Sequence, residues 1–358
     1  MARYLIKRLL LILPTLFGIL LINFIVIQFA PGGPVEQALA QASGMGGFSS
    51  TASVSSAGSM SPSAENSYTG SSGLDPEMVA KLEAQFGFDK PPHVRFFTMV
   101  GNYITLDFGF SYFQDRPVFD LVVERLPVSV SLGLWSLLLI YCISVPLGIA
   151  KAARHGQSFD IWTSVAIFTA YAIPGFLIAI ILIVVFAGGS YFDWFPLRGL
   201  VSENFDSLSL WGKITDYFWH LALPLCALTL GGFATLTMLT KNSFLEEINK
   251  QFVLTARAKG LTERRVLYGH IFRNAMLIII AGFPAAFIGI LFTGSLLIEV
   301  IFSLDGIGLL GFEAIIKRDY PVVFGILFNF TLIGLVMQLI GDLTYVLVDP
   351  RIDFESRD

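Results

Sequence analysis

Three glycines, Gly306, Gly308 and Gly311, have the spacing Gly-x-Gly-x-x-Gly. That spacing cradles the pyrophosphate of a dinucleotide when it joins a strand to a helix. Here the run follows a long apolar segment, and no strand–helix–strand pattern surrounds it. Without that context the glycines do not aim backbone amides at a phosphate. We therefore expect no nucleotide site at this run.

The other common catalytic and metal-binding patterns are missing from the sequence. It has no Gly-x-x-x-x-Gly-Lys-Ser/Thr loop for ATP phosphates, no His-Glu-x-x-His and no Cys-x-x-Cys, and its four histidines are scattered. The two cysteines, Cys142 and Cys226, lie in apolar segments, where we expect core residues rather than a disulfide. We therefore expect no catalytic residue, no bound metal and no cofactor in this chain.

Three carboxylates at the edge of an apolar segment or within one are candidates for interaction with a charged group. Glu299 and Asp319 flank the glycine run, where either could meet the amine of a peptide or serve a capping or solvated role. Asp342 lies inside the last apolar segment, and a charge at that depth should face a partner. A lone carboxylate makes a poor proton relay, so we predict a structural clamp there.

The composition indicates that the elements which position these residues are membrane helices. The 358 residues are 54% hydrophobic and 14% charged, with a mean hydropathy of +0.71, whereas soluble domains carry about 25% charged residues. The net charge of −4 gives no indication of nucleic-acid binding. Six segments reach the roughly 20 residues needed to cross a bilayer: 9–30, 129–150, 161–187, 218–240, 276–301 and 322–348.

The distribution of lysine and arginine predicts the orientation. The first segment is too long for a signal peptide, so we expect it to be retained. Basic residues concentrate before it and between residues 241 and 273, which puts these parts and both termini in the cytoplasm. Residues 31–127 would then lie outside, including a Ser/Gly-rich flexible insert at 42–73.

Each of the first five predicted spans contains a proline that would bend its helix. Ordinary membrane-helix composition explains any single one of them. Taken together they suit a bundle that must flex, with Pro174 and Pro284 as candidate gate residues. The five are Pro14, Pro146, Pro174, Pro224 and Pro284.

The stretch 252–276 is the strongly charged helical segment between two apolar spans. Ala256 and Gly260 are one turn apart and predict a small-residue face that another backbone could approach. Gly260 should end this helix, and Thr262 is a candidate N-cap for the next one. A basic cytoplasmic loop would explain the charge equally well.

A resemblance favours a specific role for this stretch. Thr255-Ala256-x-x-x-Gly260, followed by His-Ile-Phe-Arg-Asn at 270–274, resembles the "EAA" loop of ABC-importer permeases, and most closely their dipeptide/oligopeptide branch. Leu254 stands where the consensus has glutamate, and Thr255 replaces its first alanine; the peptide branch commonly departs in this way. Arg-Leu-Pro at 125–127 and Asp-Pro-Arg-Ile at 349–352 also resemble that branch.

The resemblance implies an all-α membrane protein with six transmembrane helices in the type I ABC-importer permease fold, with both termini cytoplasmic and a large periplasmic loop between helices 1 and 2. It divides the chain into helix 1 (1–30), a periplasmic region (31–127) and a permease core (128–358) with a coupling loop at 241–275. The implied coupling residues are Thr255, Ala256, Arg257, Ala258, Lys259, Gly260 and Leu261, and the implied C-terminal clamp is Asp342, Asp349 and Arg351.

The resemblance also implies partners and a place in the cell. We expect a multi-pass protein of the bacterial inner membrane, paired with a homologous permease, two ATP-binding cassettes and a periplasmic peptide-binding protein. ATP and magnesium would bind the cassettes, and the chain itself would not be an enzyme. Expected substrates are oligopeptides or the peptide antibiotic microcin C, with a nickel chelate or glutathione as alternatives. An ATP-independent secondary transporter and an intramembrane enzyme are the remaining hypotheses.

Overall fold

The computed structural model describes residues 2–29, 90–189, 191–289 and 296–348, and most of these are helical. The predicted insert at 42–73 and the clamp residues Asp349 and Arg351 lie outside these ranges. Within them the sole β pairing is an isolated antiparallel bridge between Phe110 and Pro117. The helices are α1 (Ala2–Phe29), α2 (Pro92–Ile104), α3 (Val118–Ala153), α4 (Ser158–Ala172), α5 (Gly175–Phe186), α6 (Leu210–Ile248), α7 (Gln251–Ala258), α8 (Glu263–Val266), α9 (Phe272–Ala281), α10 (Phe283–Gly289), α11 (Leu296–Phe302), α12 (Ile307–Lys317) and α13 (Tyr320–Val348).

Five helical stretches in the described ranges are long and apolar enough to cross a membrane: Ile6–Val26, Val118–Ala153, Leu210–Ile248, Glu263–Gly289 and Tyr320–Thr344. Helices α4 and α5 meet at an angle of 89° and form a sixth span if the bent pair is counted as one. Counted in this way, the spans agree in number and order with the six predicted apolar segments.

The helix that contains the start of the fifth predicted span, 276–301, begins before the apolar residues. The observed helical stretch starts at Glu263 and runs through Arg264, Arg265 and Arg273 before its apolar part. Residues Leu267–Ile271 within it are π-helical, a local widening that is often found at functional sites. These charges lie on the exposed side of a helix whose start after Thr262 was predicted.

The chain divides into two compact units. The first comprises Met1–Ile12, Asp120–Glu313 and Asn329–Asp358. Its central element is α6, which packs against α4, α5, α9 and α11. Where α6 meets α3 the packing is close, because a Cβ on Gly148 would lie 2.6 Å from the Thr240 Cβ. Small residues permit such close approach between membrane helices.

Two apolar cores lie along α6 in this unit. The first core surrounds its C-terminal half and contains Phe244, Val253, Val266, Ala275 and Ile279 among its buried members. The second core surrounds its N-terminal half and contains Leu132, Ala179, Leu221, Ile298 and Phe302. The first core surrounds the end of α6 that leads into α7. The second core surrounds the end against which α5 and α11 pack.

The second unit comprises Leu13–Phe119 and Ala314–Phe328. Its packing is aromatic: the Tyr103 ring lies 5.0 Å from the Phe108 ring and 5.3 Å from the Phe328 ring, both edge-on. Tyr103 and Phe108 are buried. The aromatic-rich stretch 103–113 therefore fixes the start of α13 within this unit.

Candidate functional site

The segment that resembles a coupling loop forms the short helix α7, which directly follows α6. Val253 is fully buried and Ala256 is 6% exposed, and both belong to the first core. Positions three apart share one side of a helix. Helix α7 is therefore attached to the first unit along that side.

The opposite side of α7 is open. Leu254 is 61% exposed, and Thr255, Arg257 and Ala258 are also exposed, as is Lys259 just beyond the helix. An apolar side chain among exposed cations gives this side the mixed character of a protein-binding surface. We call it the exposed face of α7.

The small-residue face that the sequence predicted does not form. Ala256 packs against its own chain, whereas Gly260 lies past the end of α7, with no atom within 4 Å of a Cβ built on it. Ala256 and Gly260 therefore do not share a helix face, because α7 ends between them.

Gly260 ends α7 as predicted, through a defined hydrogen-bonded turn. Its φ of +78° lies in the left-handed region that glycine adopts without strain. Its amide donates to the Arg257 carbonyl at 2.9 Å, and the Leu261 amide donates to the Ala256 carbonyl at 3.3 Å. This pair of bonds is the Schellman motif, in which a left-handed residue follows the helix.

An exposed ion pair spans this turn. Arg257 Nε lies 2.9 Å from Glu263 Oε1, and Arg257 Nη2 donates to Glu263 Oε2 at 3.0 Å. Two parallel bonds make the arginine–carboxylate geometry specific. Thr262 occupies the predicted N-cap of α8 without a side-chain capping bond. The turn between α7 and α8 is thus fixed by the backbone and by one bidentate pair.

A second set of polar contacts holds the base of α7, and sequence reasoning missed it. Glu247, in the last turn of α6, accepts a hydrogen bond from Lys250, the N-cap of α7, and one of 3.5 Å from Asn274 on α9. The bond to Glu247 raises the pKa of the Lys250 ammonium. Ser243 also donates to the Ala275 carbonyl at 2.7 Å. The spacing Glu247-x-x-Lys250 was the available signal, since a lysine three residues after a glutamate is close enough in the chain to pair with it.

The two candidate gate prolines both lie at helix breaks. Pro174 is the N-cap of α5, at the 89° bend that follows α4. Pro284 is buried in the first turn of α10, and a Cβ on Gly341 of α13 would lie 3.4 Å from it. The geometry agrees with the predicted bends, whereas a gate at either position stays a prediction.

Glu299 is fully buried within the first unit. It accepts a hydrogen bond from Ser129 at 2.7 Å and one from the Leu309 amide at 3.0 Å. A carboxylate that accepts from a first-turn amide stabilises the helix start through the dipole. The contacts match the capping alternative for Glu299 in the described residues, and a pathway role stays a prediction.

The first two glycines of the run are explained by this carboxylate. A Cβ on Gly306 would lie 2.5 Å from Glu299 Oε2, and one on Gly308 would lie 2.7 Å from the same atom. Any larger residue would displace the buried carboxylate. The spacing that resembles a dinucleotide fingerprint therefore accommodates Glu299.

Asp319 has a comparable role in the second unit. It is 3% exposed and accepts a hydrogen bond of 2.5 Å from Ser111 and one of 3.3 Å from the Tyr112 amide. Burial raises the pKa of the Asp319 carboxyl above its usual value, although these hydrogen bonds lower it. Asp319 thus ties residues 111–112 to the start of α13.

Asp342 has a charged partner in the first unit. Arg8 Nε lies 3.1 Å from Asp342 Oδ2, and the two side chains are 34% and 15% exposed. The pair connects α1 to α13. This contact is of the kind that a clamp requires, and the clamp stays a prediction.

No group of three or more histidine, cysteine, aspartate or glutamate side chains in the described part of the chain could hold a metal ion. The functional candidate that remains is the exposed face of α7, positioned by buried packing on one side and by Glu247 at its base.

Comparison with known proteins assigns a family to this arrangement. The family model described as "binding-protein-dependent transport system inner membrane component" matches residues 144–354. The chain is 60% identical over 363 residues to the peptidoglycan transport system permease protein YejB of Agrobacterium fabrum, with all of both chains covered. It is 58% identical over 365 residues to the inner membrane ABC transporter permease protein YejB of Escherichia coli O157:H7, again with full coverage of both.

A more distant relative and a solved structure agree with this assignment. The oligopeptide transport system permease protein AppB of Bacillus subtilis is 32% identical over 362 residues, covering 99% of this chain and 100% of AppB. A chain from the inward-facing MetNI methionine ABC transporter superposes with a TM-score of 0.50 at 17% identity, covering 64% of this chain and 96% of that one. At that identity the superposition identifies the fold.

Proposed function

Because the chain belongs to the family of binding-protein-dependent transport system inner membrane components, it is a multi-pass permease subunit of an ABC importer in the inner membrane, and we propose that it admits peptides. The substrates we propose are short peptides, including those released from peptidoglycan. Import runs from the periplasm to the cytoplasm. The helix that contacts the ATPases must lie in the cytoplasm, and with six spans both termini then lie there too, as predicted.

One observation carries the proposal for the substrate. The chain aligns from end to end with a permease named for peptidoglycan transport at 60% identity, and over 99% of its length with one named for oligopeptide transport at 32% identity. Both named substrates contain peptide segments. A peptide is therefore the chemistry that they share.

The geometry of α7 supports a role in energy coupling. The chain lacks a phosphate-binding loop, so ATP and magnesium bind partner ATPases. The energy of ATP hydrolysis must then reach this chain through a contact with those partners. The exposed face of α7 provides that contact, while Val253 and Ala256 attach the helix to the first core. Closure of the ATPases pushes α7, and the unit built around α6 follows. The chain itself catalyses no reaction.

The proposed assembly contains three further kinds of subunit. A homologous permease completes the pathway, since six spans alone are few for a pathway that opens alternately to each side. Two ATP-binding cassettes, separate or fused, seat on the exposed face of α7 and its counterpart. A periplasmic binding protein delivers the peptide and supplies most of the selectivity.

Uptake by the reconstituted complex tests the substrate. The four kinds of subunit are purified together and placed in liposomes with a labelled tripeptide outside and ATP inside. We expect accumulation that requires ATP and is reduced by unlabelled tripeptides and by muropeptides. Competition by a nickel chelate or glutathione but not by peptides would overturn the peptide assignment. Microcin C competes if the pathway also admits peptide antibiotics.

ATP dependence distinguishes this proposal from a secondary transporter. In the same liposomes an ion gradient without ATP should drive no accumulation. Peptide uptake by the permease alone, driven by such a gradient, would contradict the proposed mechanism.

A further inference from the structure

A buried ion cluster joins three helices of the first unit and is separate from the proposed coupling contact. Lys241 on α6 donates to both carboxylate oxygens of Asp160 on α4, at 2.7 and 2.8 Å. Lys151, at the end of α3, lies 3.1 Å from Asp160 Oδ1. We call these three residues the Asp160 cluster. Exposures of 0% for Lys151, 4% for Asp160 and 8% for Lys241 show that the cluster is largely buried.

The cluster fixes the short connection between α3 and α4. The Gly156 amide donates to Asp160 Oδ2 at 3.1 Å. Lys151 Nζ also donates to the Asp160 carbonyl, to Thr163 Oγ1 and to Ser164 Oγ, at 2.9, 2.8 and 2.7 Å. Lys151 is therefore held by α4 even without the carboxylate, whereas Lys241 has Asp160 as its partner.

The charges of the cluster do not balance. Two ammonium groups surround one carboxylate, and the nearby His155 is 60% exposed. A buried pair that only stabilises the fold gains little over apolar residues of the same size. A second buried cation adds a further desolvation cost, and this cost is the reason to look for a role besides stability.

Its position suggests that role. Lys241 and Glu247 lie on the last turns of α6, and Glu247 holds the base of α7. Helix α4 packs against α6 and leads through the 89° bend into α5, which packs against α6 and α11. The Asp160 cluster is thus the polar connection between the helix that carries α7 and the bent pair α4–α5.

We propose that the Asp160–Lys241 contact transmits the movement of α7 to the bent pair α4–α5, so that Asp160 and Lys241 are positioning residues for import. The inference rests on the proposed function, in which α7 receives the push of the ATPases. Movement of α6 pulls on Asp160 through two short charge-assisted hydrogen bonds, which resist displacement better than apolar contacts. Without them α6 slides past α4, and ATP hydrolysis no longer moves the bend at Pro174.

A double variant tests this by neutralising both members of the Asp160–Lys241 pair, so that neither is left charged without the other. Asp160→Asn with Lys241→Met removes one negative and one positive charge, so the net charge of the cluster stays the same. Lys151 keeps its three neutral acceptors. In liposomes we expect the double variant to assemble and hydrolyse ATP at the native rate, while peptide imported per ATP falls by about threefold or more.

Two matched variants control for side effects. Lys241→Arg keeps the charge and the bonds, and it should retain the native import per ATP. Lys213→Met removes a lysine from the other end of α6, where its Nζ lies 4.0 Å from a fully exposed aspartate, and it should also leave the ratio unchanged.

The outcomes separate this inference from the proposed function. If the native complex imports peptide and the double variant keeps the native ratio, the inference is wrong and the proposed function stands. Failure of the double variant to assemble would assign the cluster to folding and also contradict the inference. If the native complex imports no peptide with ATP, the proposed function fails and the inference fails with it.

Discussion

Ser129 donates a hydrogen bond of 2.7 Å to Glu299, and its hydroxyl oxygen accepts one of 2.9 Å from the Ile307 amide. These two bonds join α3 to the first turn of α12, with the buried carboxylate between them. Gly306 and Gly308 leave room for that carboxylate. Two glycines of a pattern that resembles a nucleotide fingerprint therefore make room for a buried carboxylate.

Adding a methyl group at either glycine should destabilise the first unit. For Gly308→Ala we expect a loss of about 1–3 kcal/mol, because the new Cβ overlaps Glu299. Gly334→Ala is the matched control, since no atom lies within 4 Å of its Cβ, and it should be neutral or stabilising by up to about 1 kcal/mol. The midpoint of thermal unfolding of the purified complex measures both. Equal midpoints for the two variants would contradict this packing.

Neighbouring positions on α7 should separate stability from partner binding. Val253→Ala should cost about 1–3 kcal/mol, because it empties part of the first core. Leu254→Ala should change stability by less than about 0.5 kcal/mol, as exposed substitutions do, yet weaken co-purification of the ATPase. Thermal unfolding and pull-down of the cassette measure the two effects. If Val253→Ala weakened binding while Leu254→Ala only destabilised, the two sides of α7 would be wrongly assigned.

The second unit should become less stable as the pH rises. The pKa of Asp319 is raised in the folded chain, chiefly by burial, so the folded state holds this proton more tightly than the unfolded state. Its contribution is then fully present below the ordinary aspartate pKa and is lost as the pH rises through the raised value. Hydrogen exchange at residues 111–119, corrected for its intrinsic pH dependence, should show faster opening at pH 7 than at pH 4.

Asp319→Asn provides the control for this pH effect. Its side-chain oxygen still accepts a hydrogen bond but does not titrate in this range. The difference between pH 4 and pH 7 should therefore disappear. A difference that persisted in this variant would come from another group.

The ion pair between Arg8 and Asp342 should act as a clamp and not as a proton relay. A relay needs a group that titrates, whereas a clamp needs only a contact. We expect the double variant Arg8→Met with Asp342→Asn to keep at least about half of the native import, because it removes both charges of the pair and leaves neither without its partner. Loss of import in this variant, with assembly unchanged, would indicate that the carboxylate takes part in transport.

The hydropathy of the sequence predicted the apolar segments because about 20 consecutive apolar residues have few alternatives to a membrane helix. The break at Pro174 and the turn at Gly260 were predictable for a similar local reason, since one residue fixes the backbone there. Local signals of this kind do not depend on the rest of the chain.

The partners of buried charges could not be predicted in the same way. Asp160 lies one residue before the predicted third span, and its partner Lys241 follows 81 residues later. Nothing local in the sequence joins them, because the contact exists only once α4 packs on α6. By contrast, the helix start at Glu263 was predictable, because Thr262 is a local N-cap signal.

The central claim is that ATP hydrolysis on partner subunits drives peptide import through α7, and Gly260→Asp tests it most directly. The substitution puts a carboxylate beside the exposed face of α7, in a turn with empty space around it. Gly189→Asp is the matched control, because Gly189 also has a positive φ and no atom within 4 Å of its Cβ.

The measurement is peptide imported per ATP hydrolysed in liposomes that contain the complete importer. For Gly260→Asp we predict a fall of about tenfold with the chain still in the membrane, and for Gly189→Asp the native ratio. A native ratio for Gly260→Asp in a fully assembled complex would contradict coupling through α7.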